Sequence, residues 1–325
     1  MWSQFQPRLE SPPCPCGCPR DDQIVLVGYD RLHGLPGEYT VVRCRTCGLM
    51  RTSPRPIAED IAQYYPEDYG PYHATLVSAD TPSPALSVPS HKSLFRRLCR
   101  SVFRFNVDRL PDMPPGRMLE LGCASGRFLR HMARLGWEVA GIEPDSRAAS
   151  AAQELGYPVF NGRLENAPDP PGPFDLIVGW MVLEHLHEPG ASLRRLSQWL
   201  RPCGWFVFSV PNAASLEARI FGNAWYALQV PTHLFHYTPQ TLRTLLRNTG
   251  WRVERIFHQR VIGNLVASIG YKLEDLGSSG RLTRFLIRFP EAGYRYQQVA
   301  YPAAFILSLF GQTGRMTVWA RRADD

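Results

Sequence analysis

The chain has 325 residues, of which 44% are hydrophobic and 20% charged, and its formal net charge is +7. This composition is typical of a globular protein with a buried core, with room for one large domain and a small accessory one. The positive charge is nearly all arginine and is scattered along the chain, so we expect no nucleic-acid partner.

Hydropathy gives no sign of a targeting or membrane-spanning segment. The N-terminal stretch MWSQFQPRLESPPCPC lacks the continuous apolar region of a signal peptide. The most apolar late run, Val299 to Phe310, has 12 residues and is too short to span a bilayer. We therefore expect a cytoplasmic protein, with peripheral contact at the inner membrane as an open alternative. In that compartment cysteines stay reduced, as thiols or metal ligands.

Cysteines are concentrated near the N-terminus, where five of the eight fall in the first 47 residues. RCRTCGL is a CxxC pair followed by glycine, as in a zinc knuckle, and PCPCGCP is a second cluster. QIVLVGY and EYTVVRC, between the clusters, alternate like short strands. Four thiolates on two knuckles would form a closed, structural zinc site. The sequence therefore predicts a zinc-ribbon-like module over residues 1–55.

The predicted zinc ligands are Cys14, Cys16, Cys44 and Cys47. Which two of the first three cysteines bind the metal stays open, because Cys18 is spaced equally well as part of a CxxxC pair. An alternative is a small β-meander with unligated thiols.

Residues 56–115 are rich in Pro, Ser and Tyr and are predicted to be a helical and linker segment. TPSPALSVPS, Thr81 to Ser90, has the composition of a flexible linker. HKSLFRRLCRSVFRFNV is predicted to be a helix with Leu94, Leu98 and Val102 on one face. That face could pack on the next domain or lie on a membrane surface.

From Pro115 onward, apolar strands alternate with amphipathic helices. Strands are predicted in RMLELGC, WEVAGIE, YPVFNG, FDLIVGW, GWFVFSVP, WRVERIFH and RMTVWARR, and helices in SGRFLRHMARLG, DSRAASAAQELG, ASLRRLSQWL and TPQTLRTLLRNTG. Alternating βα units predict an α/β fold with a doubly wound, seven-stranded, mostly parallel sheet. We expect the core over 116–260, with a lid at 212–238. A helical insertion at 261–314 precedes the final strand at 315–325.

The loop after the first core strand is the predicted cofactor site, because doubly wound sheets bind ligands at the carboxyl ends of their strands. LELGCASGRF lacks the GxGxxG of a nicotinamide-binding loop. Glu120 just before the loop would repel a phosphate and suits a cationic ligand. Glu143 ends the second strand, where a carboxylate can bind both hydroxyls of a ribose. A cofactor with a ribose, a positive centre and no phosphate is S-adenosylmethionine.

LELGCASGRF, GIEPD, GRLEN, FDLIVGWMVLEHLHEP and GWFVFSVPN, in this order, resemble the motifs of class I S-adenosylmethionine-dependent methyltransferases, which have a Rossmann-like fold. The resemblance implies that Glu143 binds the ribose hydroxyls, that Pro144 lies near the adenine and that Glu165 reads its amine. The full implied set of cofactor-binding residues is Glu120, Gly122, Ala124, Gly126, Glu143, Pro144, Leu164, Glu165 and Trp180.

The N-terminal cysteines extend the resemblance. CGLMRTSPRP is similar to the end of the zinc-binding segment that precedes small-molecule methyltransferases of bacterial sugar and envelope pathways. PCPCGCP departs from their usual CPxCG, which leaves the individual ligands open. The resemblance implies a structural Zn²⁺ beside the S-adenosylmethionine cofactor.

Histidines after the fourth and fifth strands are candidates for the base that an oxygen acceptor of high pKa needs. His233 in VPTHLFHYTP is the first choice and His185 the second; His187 and His236 are their neighbours. Equally open is a structural role, in which His185 caps a helix and His233 hydrogen-bonds a loop carbonyl. Glu184 is expected to face the acceptor side together with His185.

The lid and the insertion suggest the kind of acceptor. Trp225, Tyr226 and Phe235 could form an apolar acceptor wall or pack the lid on the core. The insertion carries four arginines beside apolar runs (Arg281, Arg284, Arg288 and Arg295). Such a basic, amphipathic element suits a lipid-linked acceptor and peripheral membrane contact through 261–314. A packing or dimerisation element is the alternative, and the sequence gives no indication of oligomeric state.

The sequence thus predicts a methyltransferase for a small or lipid-linked acceptor, methylating oxygen or a sugar carbon in envelope, sugar or quinone metabolism. One alternative is an RNA methyltransferase, which would need a base-binding Pro-Pro motif where this chain has GWMVLEH. Another is a non-catalytic scaffold, which intact Glu120, Gly122, Gly126 and Glu143 argue against.

Overall fold

The computed structural model describes residues 7–65, 105–291 and 294–323. The predicted linker at Thr81–Ser90 and the predicted helix face of Leu94, Leu98 and Val102 lie outside these residues.

Five short strands form the N-terminal module. They are β1 (Leu9–Glu10), β2 (Asp22–Gly28), β3 (Tyr39–Cys44), β4 (Met50–Thr52) and β5 (Arg55–Pro56). β2, β3 and β4 form antiparallel pairs in that order, and β1 pairs with β5. The two strands predicted between the cysteine clusters are confirmed as β2 and β3.

The core begins at Arg117 and alternates strand and helix as predicted. Its first half comprises β6 (Arg117–Leu121), α1 (Arg127–Arg134), β7 (Glu138–Glu143), α2 (Ser146–Glu154), β8 (Val159–Asn161), β9 (Phe174–Trp180), α3 (Pro189–Trp199) and β10 (Leu200–Pro211). Its second half comprises α4 (Leu216–Phe221), β11 (Phe235–His236), α5 (Pro239–Asn248), β12 (Trp251–His258), α6 (Gly263–Asp275), α7 (Arg281–Ile287), α8 (Tyr294–Leu309) and β13 (Arg315–Arg322).

The main sheet has seven strands in the order β12-β13-β10-β9-β6-β7-β8. β6 through β10 pair parallel, and β13 runs antiparallel to both β10 and β12. The chain moves outward from β6 to β8 and then returns to lay β9 on the other side of β6. The strand order therefore reverses between β6 and β9, which places a ligand crevice at their carboxyl ends. The predicted doubly wound, seven-stranded sheet is confirmed.

Two predicted helix starts are made by side-chain caps. The Asp145 carboxylate accepts from the N–H of Ala148 at the start of α2. Thr238 and Thr241 form a reciprocal capping box at the start of α5, which satisfies backbone donors that the first helical turn leaves open. β10 begins earlier than predicted, because its register with β9 shifts between Leu200 and Trp205 and takes the intervening turn into the strand.

Side chains of the sheet pack in two layers, as strands buried on both faces require. On one face, Met118, Leu176 and Val207 pack against α1 and α2. On the other, residues such as Leu119 and Ile177 pack against α3 and α5. Cys14, Cys44 and Leu49 of the N-terminal module belong to that second layer. The module is therefore part of the packed core.

The lid joins the N-terminal module, since β11 pairs antiparallel with β4 and completes a four-stranded sheet. Arg51 and Arg55 form ion pairs within the module, and Arg55 also reaches the segment that follows β9. Arg51 makes two bonds to the carboxylate of Asp22, with N···O distances of 2.9 and 2.6 Å. Arg55 bonds Glu10 at 2.8 Å and the carbonyl of His187 at 2.9 Å. Both guanidinium side chains are almost fully buried.

The predicted helical insertion before the last strand is confirmed as α6, α7 and α8. Within the described ranges, none of the helices has the length and apolar character needed to cross a bilayer.

Candidate functional site

The glycine loop that follows β6 approaches its neighbours too closely for side chains. Gly122 has φ +64°, and a Cβ there would lie 2.8 Å from Cγ2 of Val182. Gly126 has φ +79°, and its Cβ would meet Cβ of Ala152 at 2.9 Å. Glycine is therefore required at both positions for two reasons: the backbone has a positive φ, and there is no room for a Cβ. Their contacts hold the loop against α2 and against the segment that follows β9.

Glu143, at the end of β7, is held by two backbone donors. Its Oε2 accepts from the N–H of Ala124 at 2.8 Å, and its Oε1 accepts from the N–H of Asp145 at 2.9 Å. Burial raises the pKa of this carboxyl, and the two N–H donors act in the opposite direction. Each carboxylate oxygen keeps a lone pair for a further donor. The arrangement fits the paired hydroxyls of a ribose.

The carboxyl of Glu120 is buried in β6, just before the glycine loop and near the carboxyls of Asp108 and Glu143. Its Oε2 has no hydrogen-bond partner in the described part of the chain. Burial raises its pKa well above the ordinary value, and the nearby carboxyls of Asp108 and Glu143 raise it further. The pKa of Asp108 is itself raised to about 6 by burial. A cationic ligand group would relieve this concentration of acid, so the arrangement fits S-adenosylmethionine.

The other predicted cofactor residues lie at the carboxyl ends of adjacent strands. Pro144 is exposed after β7, while Leu164 is buried in the core after β8. Glu165 accepts from the hydroxyl of Ser192 at 3.3 Å. Trp180, at the end of β9, meets the ring of Phe128 edge-on at 5.4 Å. These residues thus lie at the same edge of the sheet, although the side chain of Leu164 packs into the core.

A second cluster lies beyond Val182 and consists of Glu184, His185 and His233. Glu184 and His185 belong to a 3-10 turn, Leu183–His185, directly after β9, and His233 comes from the lid. One potential ligand atom from each of the three lies within 4.8 Å of the others. The two imidazole rings are 4.7 Å apart at an angle of 76°. The fold therefore brings both predicted histidines together.

Backbone carbonyls fix the tautomers of both histidines. Nδ1 of His233 lies 2.8 Å from the carbonyl of Ala227, and Nδ1 of His185 lies 2.9 Å from the carbonyl of Thr232. Since a carbonyl only accepts, each Nδ1 carries the proton and each Nε2 presents a lone pair. Burial lowers the pKa of His185 to about 4 and that of His233 well below its ordinary value. Both rings are therefore neutral at physiological pH.

Two neighbouring histidines have structural contacts elsewhere. Nε2 of His187 lies 3.1 Å from the carbonyl of Pro56, and Nε2 of His236 lies 3.4 Å from the hydroxyl of Thr52. Tyr65, which no sequence motif marked, lies with its hydroxyl 2.9 Å from Nδ1 of His185. The partnership joins residues 120 positions apart, and no local pattern could have indicated it.

The aromatic residues of the lid mostly pack it onto the rest of the molecule. Trp225 and Phe235 are buried, and the indole N–H of Trp225 donates to Glu217 at 3.0 Å. Tyr226 is half-buried and stacks on Tyr271 of α6 at 5.7 Å. The sequence left open whether these residues form an acceptor wall or pack the lid on the core; Trp225 and Phe235 pack the lid.

The N-terminal cysteines converge, with one change from the predicted set. The sulfurs of Cys14, Cys18, Cys44 and Cys47 lie within 4.8 Å of one another. Cys18 thus occupies the place predicted for Cys16. The chain turns between Cys14 and Cys18, where the Gly17 N–H bonds the Cys14 carbonyl. Burial raises the pKa of the Cys47 thiol, and a backbone hydrogen bond from Leu49 acts in the opposite direction. Four such thiols fit a tetrahedral zinc ion.

Comparisons with known proteins agree with this geometry. The family model described as Methyltransferase domain matches residues 91–256, just over half of the chain. A ubiquinone biosynthesis O-methyltransferase of Xanthomonas euvesicatoria pv. vesicatoria (strain 85-10) is 29% identical over 159 residues, or 45% of this chain and 66% of that protein. A namesake from Rhodopseudomonas palustris (strain BisA53) is 28% identical over 180 residues, or 51% and 71%. The chain thus spans just under two thirds of the first relative's length.

Among solved structures, an S-adenosylmethionine-dependent methyltransferase from Mesorhizobium loti is 20% identical with a TM-score of 0.44. The similarity covers 66% of this chain and 94% of that one.

Proposed function

This chain belongs to the methyltransferase-domain family and has the class I methyltransferase fold, and from that premise we propose that it methylates an oxygen of a small, quinone-type acceptor. S-adenosylmethionine supplies the methyl group as an electrophile on its sulfonium sulfur. The observation that carries the proposal is the carboxylate of Glu143, fixed by the N–H groups of Ala124 and Asp145 at the edge of the crevice.

The proposed cofactor contacts follow from the polar groups around the crevice. Glu143 would accept from the ribose hydroxyls, and the glycine loop from Gly122 to Gly126 would lie along the methionine part. The unpartnered oxygen of Glu120 would attract the positive charge of that part. Pro144, Leu164 and Glu165 would border the adenine. Trp180 would flank the cofactor at the end of β9.

The acceptor is proposed to bind between Trp180 and the lid, where Glu184, His185 and His233 lie together. His233, with His185 beside it, would promote the loss of the proton from the acceptor hydroxyl. Support for this role comes from the neutral state and the Nδ1–H tautomer of both rings, which leave Nε2 as an acceptor. A base so positioned typically contributes ~10²–10⁴-fold in rate. An oxygen acceptor is favoured because the relatives are named as O-methyltransferases.

A structural Zn²⁺ is proposed for Cys14, Cys18, Cys44 and Cys47. Cys14 and Cys44 are buried in the same layer as Leu49, residues of α3 and α5, and Phe235 of the lid. The ion would therefore stabilise the module that supports β11 and, through it, His233.

Peripheral membrane contact through the insertion is the last part of the proposal. Ten large apolar side chains in the described part of α6–α8 and their ends are exposed, led by Val299 at 83% and Leu276 at 74% (the others are Ile269, Leu282, Phe285, Tyr296, Phe305, Ile306, Leu309 and Phe310). Arg281, Arg284 and Arg288 are exposed on the same insertion. Apolar side chains beside arginines suit an anionic lipid surface, from which a lipid-linked quinone could be taken.

The experiment that tests the activity is a methyl-transfer assay with S-adenosylmethionine and a water-soluble catechol-type quinol. Wild type is expected to form the methyl ether and S-adenosylhomocysteine in equal amounts. His233→Gln should lower kcat by about 10²-fold or more while cofactor affinity stays within a few-fold. Thr249→Ser, a buried and remote change, is the control. If no phenol, quinol or catechol in a panel supports turnover of the cofactor, an oxygen acceptor of this class is refuted.

Membrane contact is tested separately, by flotation with vesicles of anionic and of neutral lipid. Wild type is expected to float with anionic vesicles. A Val299→Asp, Phe310→Asp double variant should remain in the soluble fraction. Equal behaviour of the two proteins would contradict this part of the proposal.

A further inference from the structure

We propose that Glu184, His185 and His233 together bind a divalent transition-metal ion on the acceptor side of the crevice. The site is distinct from the four-cysteine site of the N-terminal module. Its role in acceptor binding rests on the proposed methyl transfer, whereas metal binding itself does not.

The first argument is the state of Glu184. Its side chain is fully buried, and neither Oε1 nor Oε2 has a hydrogen-bond partner among the residues that the structure describes. An ionised carboxylate is stable in the interior only when it is paired, hydrogen-bonded or bound to a metal; otherwise it takes up a proton. The charge of Arg315 lowers the pKa of Glu184, but the two side chains form no ion pair, and the guanidinium of Arg315 bonds Asn264. Two orphaned oxygens in a cluster with two imidazoles point to a missing cation.

The second argument is the orientation of the imidazoles. A metal-ligating histidine almost always donates its other ring N–H to a carbonyl or carboxylate, which fixes the tautomer and aims the free nitrogen. Both His185 and His233 have that arrangement, with Nδ1 directed at the carbonyls of Thr232 and Ala227. The hydroxyl of Tyr65 provides a second polar contact to Nδ1 of His185. The supporting shell of a metal site is therefore already assembled.

The third argument is the ligand set and its access. Two imidazoles and one carboxylate suit Fe²⁺, Mn²⁺, Co²⁺ or Zn²⁺, and three protein ligands leave positions open for water or substrate. Glu184 and His233 are buried, and His185 is the partly exposed member of the cluster. The cysteine site, with four sulfurs, is closed by comparison.

The position of the ion gives it a role in the proposed reaction. An acceptor hydroxyl that binds to the ion becomes more acidic, and its proton passes to water. The oxygen is then the nucleophile: its bond to the methyl carbon forms as the carbon–sulfur bond breaks and the electron pair stays on sulfur. His185 and His233 would in that case promote deprotonation through the metal, as its ligands, rather than by taking the proton directly.

The test is cobalt binding to the metal-stripped full-length chain, measured by equilibrium dialysis and absorption. The cysteine site should take one Co²⁺ with an intense thiolate charge-transfer band. A second equivalent should bind without adding to that band. Glu184→Gln and His185→Gln should weaken the second equivalent by at least tenfold, the size expected for the loss of a metal ligand or its support. Glu217→Gln, a change of another buried carboxylate, is the matched control and should keep both equivalents.

Each variant is also titrated with S-adenosylmethionine, because retained cofactor binding shows that it has folded. Binding of only the thiolate-ligated equivalent by wild type, or an unchanged second equivalent in both folded variants, would overturn the proposal. Two bound equivalents without any methyl transfer would instead count against the proposed function alone.

Discussion

The contact between Gly122 and Val182 predicts a large effect from a single added methyl group. In Gly122→Ala the new Cβ would lie 2.8 Å from Cγ2 of Val182, with the backbone at φ +64°. A left-handed conformation costs a non-glycine residue roughly 1–2 kcal/mol, and overpacking costs about 1–3 kcal/mol more. Because the less flexible unfolded chain offsets about 0.4–1 kcal/mol of this loss, we expect the free energy of unfolding to fall by about 1–4 kcal/mol.

A matched glycine separates the two contributions. Gly156 has φ +87°, but a Cβ there would meet no atom within 4 Å. Gly156→Ala should therefore cost only the backbone component, about 1 kcal/mol after the gain from a less flexible unfolded chain. Gly122→Ala should also weaken binding of S-adenosylmethionine, whereas Gly156→Ala should not.

The assay is urea unfolding together with calorimetric titration of both variants, and of Gly122→Ala combined with Val182→Ala. Removing the methyl groups of Val182 should restore part of the lost stability, so the two changes should be non-additive. Equal losses in Gly122→Ala and Gly156→Ala, or no coupling to Val182, would refute the close approach as the reason for glycine in the loop.

Three further predictions concern the N-terminal module and the lid. Cys18→Ser should abolish retention of zinc during dialysis, while Cys16→Ser should keep one equivalent by metal analysis; the reverse pattern would restore the ligand set first predicted. Burial raises the pKa of Glu217 to about 7 from 4.5, so the folded state holds a proton that the unfolded state has released. Its contribution to stability is complete below about pH 4.5 and is lost as the pH rises through 7. Between pH ~5 and ~8 the free energy of unfolding should therefore fall less in Glu217→Gln than in wild type, with a difference between the two falls of up to about 3 kcal/mol. Parallel pH profiles of the two proteins would contradict this. Arg55→Met should lower the free energy of unfolding by about 2–4 kcal/mol, because its buried ion pair and its bond to a loop carbonyl are lost. Exposed Arg8→Met should have a clearly smaller effect in the same denaturation assay.

The sequence predicted the sheet well because its strands are buried on both faces and are separated by capped helices. Continuous apolar runs such as that of β9 have few alternatives to a central strand. β10 was predicted too short because Pro202 and Gly204 normally mark a turn, yet the register shift between Leu200 and Trp205 keeps that turn within the strand.

The candidate site was predictable where residues adjacent in sequence act together. Glu143 and the glycine loop each belong to a local motif, and the fold joins them through the N–H of Ala124. Contacts between distant segments were not predictable. Tyr65 reaches His185 only because the N-terminal module docks beside the lid. Spacing alone could not choose between Cys16 and Cys18, since the choice depends on the turn at Gly17.

The central claim is that the crevice binds S-adenosylmethionine through the carboxylate at the end of β7. The most direct measurement is calorimetric titration of wild type, Glu143→Ala and Glu138→Ala with S-adenosylmethionine. Glu138 begins the same strand and forms an ion pair with Arg117 at its far end, which makes it the matched control.

Wild type and Glu138→Ala should bind with the same affinity. Glu143→Ala should bind about 10–100-fold more weakly, as the loss of a charged hydrogen-bond acceptor predicts. Absence of saturable binding by wild type, or equal affinities in the two variants, would contradict the account.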